Sequence, residues 1–150
     1  MRQRMEPAIE RGGAPGVDIK RGTGGIVDVE FIAQILLLAH GHRRKGLRHA
    51  NTRVVLERMI GERLLSPPDG RELPSGYERL RRVLKAMRLV DRSSNTRPDG
   101  PALEALARAG GFDTPTDLTS QLERLMHRLR TLYQDIIDHL HKDFPGESFT

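Results

Sequence analysis

The residues with most capacity for chemistry sit together in positions 18–34, DIKRGTGGIVDVEFIAQ. Lys20 and Arg21 are followed by Gly22, Gly24 and Gly25, then by an apolar stretch that carries two acids, Asp28 and Glu30. Two cations, backbone without side chains, and a helix start with unpaired N–H groups and a positive dipole end make a corner that favours an anion such as a triphosphate. The spacing is not a Walker loop, which needs Gly-Lys-Ser/Thr at the helix start, nor a dinucleotide fingerprint. The same residues also read as an ordinary glycine-rich turn with solvated cations. The sequence leaves both readings open.

The two acids read differently. Residues two apart on a helix point ~200° apart, so Asp28 and Glu30 do not form a carboxylate pair. Glu30 shares a face with Gln34, one turn on. On so apolar a helix a buried Glu30 needs an arginine or a ligand, and Arg53 is the arginine expected to complete an internal strut. Asp28, nearer the helix start, is placed to face the corner and orient a basic residue, a metal-bound water or a hydroxyl.

Farther along, Arg81, Lys85, Arg88 and Arg92 recur at spacings of four, three and four. This basic stripe suits phosphates or an acidic partner, and it equally reads as a solvated helix face. His40 and His42, and again His139 and His141, are two apart, with His49 near the first pair. Helical zinc pairs are spaced by a full turn, so no metal is assigned. The chain has no Gly-x-Ser-x-Gly elbow, no His-Glu-x-x-His and no Asp-x-Asp pair, so no catalytic residue is assigned either.

The elements that must position these residues are helical. Residues 26–39 are apolar nearly all round, as in a helix at the centre of a fold. A second helix begins at Asn51 or Thr52 as N-cap and places Val55, Leu56, Met59, Ile60 and Leu64 on one face. A third covers residues 77–90, with Tyr77, Leu80, Leu84 and Met87 inward. A short helix over 101–109 ends at Gly110 and Gly111. In the last, Thr114 caps, Pro115 takes the first position and Asp117 completes a box; Leu118, Leu122, Leu125, Leu129, Leu132, Ile136 and Leu140 form a bundle seam. Between them, residues 66–76 (SPPDGRELPSG) and 91–100 (DRSSNTRPDG) read as loops. Residues 17–20 alternate apolar and polar like a short strand, residues 11–16 form a turn, and residues 1–10 read as a helix tail with no cap ahead of it.

The expected fold is therefore all-α: a helical bundle of about five helices with long antiparallel members and a short extended N-terminal segment. Residues 1–24 are expected as linker and glycine-rich segment, 25–144 as the bundle and 145–150 as a tail. Composition agrees. The chain has 150 residues, 37% hydrophobic but only 4% aromatic, with no Trp, so the core must be built from aliphatic residues. The net charge of +5 admits nucleotides, nucleic acid or an acidic protein surface and does not choose among them. The absence of cysteine rules out disulfides and thiol catalysis and fits a reducing, cytoplasmic setting. The first residues have no signal-like apolar core, and the longest apolar run, residues 31–39, is too short to span a bilayer.

Residues 18–34 resemble the segment that opens the helical domain of glutamine synthetase adenylyltransferases, with its lysine-bearing turn, Gly-Gly-Ile and acid-x-Glu-Phe run. HANTRVVL at 49–56, through Asn51 and Arg53, resembles the family's Asn-x-Arg helix start. YERLR at 77–81 is similar to its Tyr-x-x-Leu-Arg segment, and RLVD at 88–91 to the stretch after that segment; residues 106–112 and the last helix fit as well. MRQRME resembles the linker helix ahead of the motif. The resemblance implies a helical domain that comes after a nucleotidyltransferase domain. That other domain would hold ATP and magnesium, and the full enzyme would move AMP onto a tyrosine of glutamine synthetase and remove it again. Glutamine synthetase, the upstream domain and a nitrogen-regulatory protein are the implied partners. This chain alone is expected to bind no cofactor and to be inactive; membrane and nucleic acid are not expected partners. Two positions depart from the family pattern: Leu84 stands where a Glu is usual and Asn95 where a His is usual. The alternative is a non-enzymatic protein-interaction module that uses the basic stripe.

Overall fold

The computed structural model describes residues 17–90 and 100–146, with the side chains of residues 67–69 left out of the description. Five α-helices come in order: α1 (Ile26–His40), α2 (Thr52–Gly61), α3 (Pro67–Val90), α4 (Gly100–Ala109) and α5 (Pro115–Asp143), with a short 3₁₀ turn at Lys45–Leu47. No strand occurs among the described residues. The expected all-α bundle is the one found. The readings of residues 1–10, 11–16 and 91–99, including Arg92 and Asn95, lie outside the described residues.

Local chemistry sets the helix ends. Asn51 caps α2, its side-chain oxygen accepting from the Arg53 and Val54 N–H groups. Thr114 and Asp117 form a reciprocal capping box on α5, with Pro115 in the first turn where its missing N–H costs nothing. α4 ends at Gly110 and Gly111, the latter in the left-handed region at φ 73°.

Residues 66–76 correct the sequence reading: they are not a loop, because α3 begins at Pro67 and runs straight through them. The two prolines that open this segment sit in the first turn, where helices have unpaired N–H groups anyway. Gly70 is there for space, since a Cβ would run into the Ile60 side chain. Only Pro74 lies inside the helix, and its buried neighbours Leu73 and Tyr77 offset the lost hydrogen bond through packing.

α1 sits at the centre. It contacts α2, α3 and α5, while α3 also packs on α2, α4 and α5. Ile32 and Leu36 of α1, Leu56 and Met59 of α2, Leu73 and Leu80 of α3, and Leu129 and Leu132 of α5 are all but removed from water. Each such side chain contributes about 1.5–3 kcal/mol by burial. Six of the seven seam positions read from the sequence of α5 are buried, and Leu125 packs at the margin of the core. α5 is also tied to α3 by Arg128, which grips Glu72 with two hydrogen bonds of 2.6 and 3.1 Å. That pair is half-exposed, so its share of stability is at most ~1 kcal/mol.

The loop ahead of α1 lies directly on α5. Gly24 has φ 78°, and a Cβ there would overlap the Met126 carbonyl oxygen. Gly24→Ala is expected to cost about 2–4 kcal/mol, from steric overlap plus the left-handed backbone, read as a lower urea midpoint with unchanged slope.

Candidate functional site

The corner in residues 18–25 is a turn closed on itself, not a strand followed by an open glycine loop. Asp18 explains the difference. Its carboxylate accepts from the N–H groups of Lys20 (3.1 Å) and Arg21 (2.9 Å), and its carbonyl accepts from Gly22 (2.9 Å). The chain therefore bends at once and drives Ile19 into the core.

Internal pairing also governs the start of α1. Gly24 N–H donates to Asp28 Oδ2 at 2.6 Å. Gly25 N–H donates to the Gly22 carbonyl, Ile26 N–H to that of Ile19, and Val27 N–H to that of Lys20. The amides expected to cradle an anion are used inside the turn. Lys20 is half-buried and Arg21 exposed, so the corner offers a partner its side-chain cations.

Asp28 is the one fully buried charged residue among those described, 1% exposed. Besides Gly24, it faces the Arg130 guanidinium of α5 at 3.6 Å. Arg130 also lies 4.6 Å from the centre of the Tyr133 ring, which stacks on Phe31 of α1 at 6.4 Å. Asp28 and Phe31 on α1 thus meet Arg130 and Tyr133 on α5 as two successive rungs. Asp28, expected to face a ligand corner, is instead buried, with a basic neighbour in Arg130 of α5.

Glu30 is corrected in two respects. It is only partly buried, and Arg53 is not its partner. Glu30 Oε1 accepts the Tyr77 hydroxyl at 3.0 Å, while Arg53 pairs with Glu57 at 3.0 Å and reaches Glu78 at 4.0 Å. Arg53 sits just after the cap of α2, and its (i, i+4) acid lies closer to hand than α1 does. Gln34, on the same side of α1, is exposed. Burial raises the Tyr77 hydroxyl above its ordinary value of 10.0; a hydrogen bond with Thr52 opposes the rise and the Glu30 charge adds to it. Arg130 was not picked out from the sequence, and Tyr77 and Thr52 were read there only as an inward side chain and a candidate N-cap. The available signal for Arg130 was a cation flanking the α5 seam while α1 carried an acid in need of a partner.

On the stripe, Arg81, Lys85 and Arg88 are exposed, and Arg81 leans over the Tyr77 ring at 5.5 Å. Leu84, where the resemblance implies a Glu, is buried in the apolar core. His40 lies edge-on to Phe144; burial, then the nearby Arg44 charge, lower its pKa below the ordinary value.

The described residues do not fit an ATP–magnesium cradle. The corner amides are used, and no group of three or more His, Asp or Glu that could hold a metal occurs among the described residues. No step through such a group is assigned to them. Nor is any helix among them long and apolar enough to cross a membrane.

A family model described as GlnD PII-uridylyltransferase matches residues 1–144. The chain belongs to this family. The bifunctional glutamine synthetase adenylyltransferase/adenylyl-removing enzyme of Streptomyces coelicolor is 33% identical over 141 residues, 91% of this chain and 14% of that protein. The enzyme of the same name from Xanthobacter autotrophicus is 34% identical over 137 residues, 90% of this chain and 14% of its own. That of Pseudomonas syringae pv. tomato is 36% identical over 129 residues, 85% of this chain and 13% of its own. The resemblance to adenylyltransferases is thus shown, and the chain spans about 14% of the length of the first of these relatives.

This geometry sets two expected outcomes. Asp28→Ala leaves Gly24 N–H and a partly solvated Arg130 without their acceptor and is expected to cost about 2–3 kcal/mol; Asp28→Asn keeps an acceptor and costs about 1 kcal/mol. Urea unfolding of both variants checks the order. For Tyr77 the folded value is raised, so its contribution is complete below pH 10.0 and is lost as pH climbs through the folded value. Tyr77→Phe should flatten the stability profile above pH 10.0, measured by unfolding on either side of it.

Proposed function

We propose that this chain is the helical supporting portion of an adenylyltransferase that moves AMP from ATP to glutamine synthetase and removes it again. A neighbouring nucleotidyltransferase domain would supply the Asp-x-Asp carboxylates, ATP and magnesium, in the cytoplasm, with a nitrogen-regulatory protein as a further partner. Relatives that carry the adenylyltransferase name support the reading, as does the small share of their length that this chain covers. The observation that carries it is the corner itself. Asp28, Gly24 and Arg130 fix the turn on α5, and the turn presents the Lys20 and Arg21 side chains while their own amides, with those of Gly22, Gly24 and Gly25, are engaged within it. Gly22, Gly24 and Gly25 shape this corner, and Glu30 anchors α1 behind it through Tyr77. The two cations would face the boundary with the catalytic domain and steady the phosphates held there.

A second reading, an interaction module that binds an acidic protein through α3, is favoured by the exposure of Arg81, Lys85 and Arg88. It is compatible with the first, since the two use different helices.

The test is a graft. This chain replaces the matching segment of the Streptomyces coelicolor enzyme, and transfer of radiolabelled AMP to glutamine synthetase is monitored. The graft should remain active, and Lys20→Glu with Arg21→Glu should lower transfer by about tenfold or more at unchanged unfolding midpoint. Label transferred by this chain alone, or full activity in the charge-reversed graft, would overturn the assignment.

A further inference from the structure

The second half of α3 is strongly basic on its outward side. Residues 79–90 carry Arg79, Arg81, Arg82, Lys85 and Arg88 and no acid. Without these five the chain's 25 basic residues fall to 20, equal to its 20 acidic ones. Three turns of one helix thus gather a cation excess as large as the net charge of +5. Five arginines elsewhere meet carboxylates: Arg44 with Glu62, Arg53 with Glu57, Arg108 with Glu104, Arg128 with Glu72 and Arg130 with Asp28. On α3 the inward line of Leu80, Leu84 and Met87 is buried, and Arg79, Arg81, Arg82, Lys85 and Arg88 are all exposed.

Local structure does not account for this crowding. The helix dipole rewards cations only in the last turn, which here contains Arg88 alone of the five. Arg81 with Lys85, Arg82 with Lys85, and Lys85 with Arg88 are like charges at turn spacing, each pair costing about 0.2–0.5 kcal/mol. Set among them on the outward face is Leu89, 79% exposed, with Val90 beside it at 50%. Arg82, Lys85 and Leu89 succeed one another at spacings of three and four, so they form one ridge.

We infer that this ridge is a docking surface for an acidic amphipathic helix of a partner protein, with an apolar side chain of that helix seated on Leu89 and its carboxylates facing Arg82, Lys85 and Arg88. Charge complementarity selects an acidic partner. The exposed leucine selects a helix with an apolar stripe over a single-stranded nucleic acid, which would call for exposed aromatic rings to stack on, whereas Tyr77, the aromatic residue of α3, is buried. The inference rests on the interaction-module reading of α3 and adds to it the partner's shape and its anchor.

The probe is a synthetic helix of about five turns with one leucine stripe flanked by glutamates, titrated into the chain by calorimetry. A peptide of the same composition with the stripe scrambled and a single-stranded RNA serve as comparisons. The striped helix should bind, and Leu89→Ser or scrambling should each weaken binding by about tenfold. Arg82→Glu with Lys85→Glu should abolish it. All three substitutions are on exposed positions, and an unchanged unfolding midpoint confirms that the bundle is intact. Equal binding of the striped and scrambled peptides, with Leu89→Ser neutral, overturns the anchored helix and leaves a purely electrostatic face. No binding of either peptide overturns the interaction-module reading as well, and tighter binding of RNA replaces it with a nucleic-acid surface.

Discussion

One buried carboxylate organises this fold. Asp28 is nearly sealed from water, and an uncompensated charge there would cost several kcal/mol. Its compensation comes from two directions, the Gly24 amide at 2.6 Å and the Arg130 guanidinium at 3.6 Å. One partner lies in the turn ahead of α1 and the other on α5. The need to satisfy Asp28 therefore fixes how the turn, α1 and α5 meet. The close fit of Gly24 on the Met126 backbone is the steric face of the same constraint. The same pairing limits what the corner can offer a ligand, because the amides of Lys20, Arg21, Gly22, Gly24 and Gly25 are already engaged inside the turn.

α1 is apolar nearly all round, so hydrophobic burial alone would let it rotate between its neighbours. Its two acids remove that freedom. Asp28 joins it to α5, and Glu30, through the Tyr77 hydroxyl, joins it to α3, with Thr52 at the start of α2 contacting the same tyrosine. Each bond is modest, about 1–3 kcal/mol. Their effect is directional: a central helix held by polar contacts toward α5 and α3 has one rotational setting. The Phe31–Tyr133 stack falls into place beside the Asp28–Arg130 contact as a consequence.

The elements with strong local codes were legible in the sequence. The Thr114–Asp117 box, Pro115, the α5 seam and the Asn51 cap depend on neighbours within a turn or two, and all were found where read. Residues 66–76 were misread because prolines and glycines were weighed by type alone. Their position in the helix decides their cost: at the first turn proline is free, and Gly70 gives Ile60 room. The acids were half legible. Helical geometry shows that Asp28 and Glu30 point apart, but a helix with apolar residues on every side carries no mark of which acid points inward. That is settled by Arg130, 102 positions along the chain from Asp28, and no local pattern encodes such a pairing.

The way acids are used also bears on what kind of protein part this is. A reacting site keeps its carboxylates exposed to substrate, with titration tuned by incomplete compensation. Here the most buried carboxylate is engaged in holding secondary structure, and burial, aided by the Glu30 charge, favours the neutral Tyr77 hydroxyl. Both groups serve rigidity. A bundle that uses its interior polar groups to fix one loop, and leaves cations on that loop's surface, is built to hold a position against something else. That division of labour is compatible with the supporting role proposed above. Leu84, where the resemblance implies a Glu, lies on the inward face of α3 and fills its space by packing.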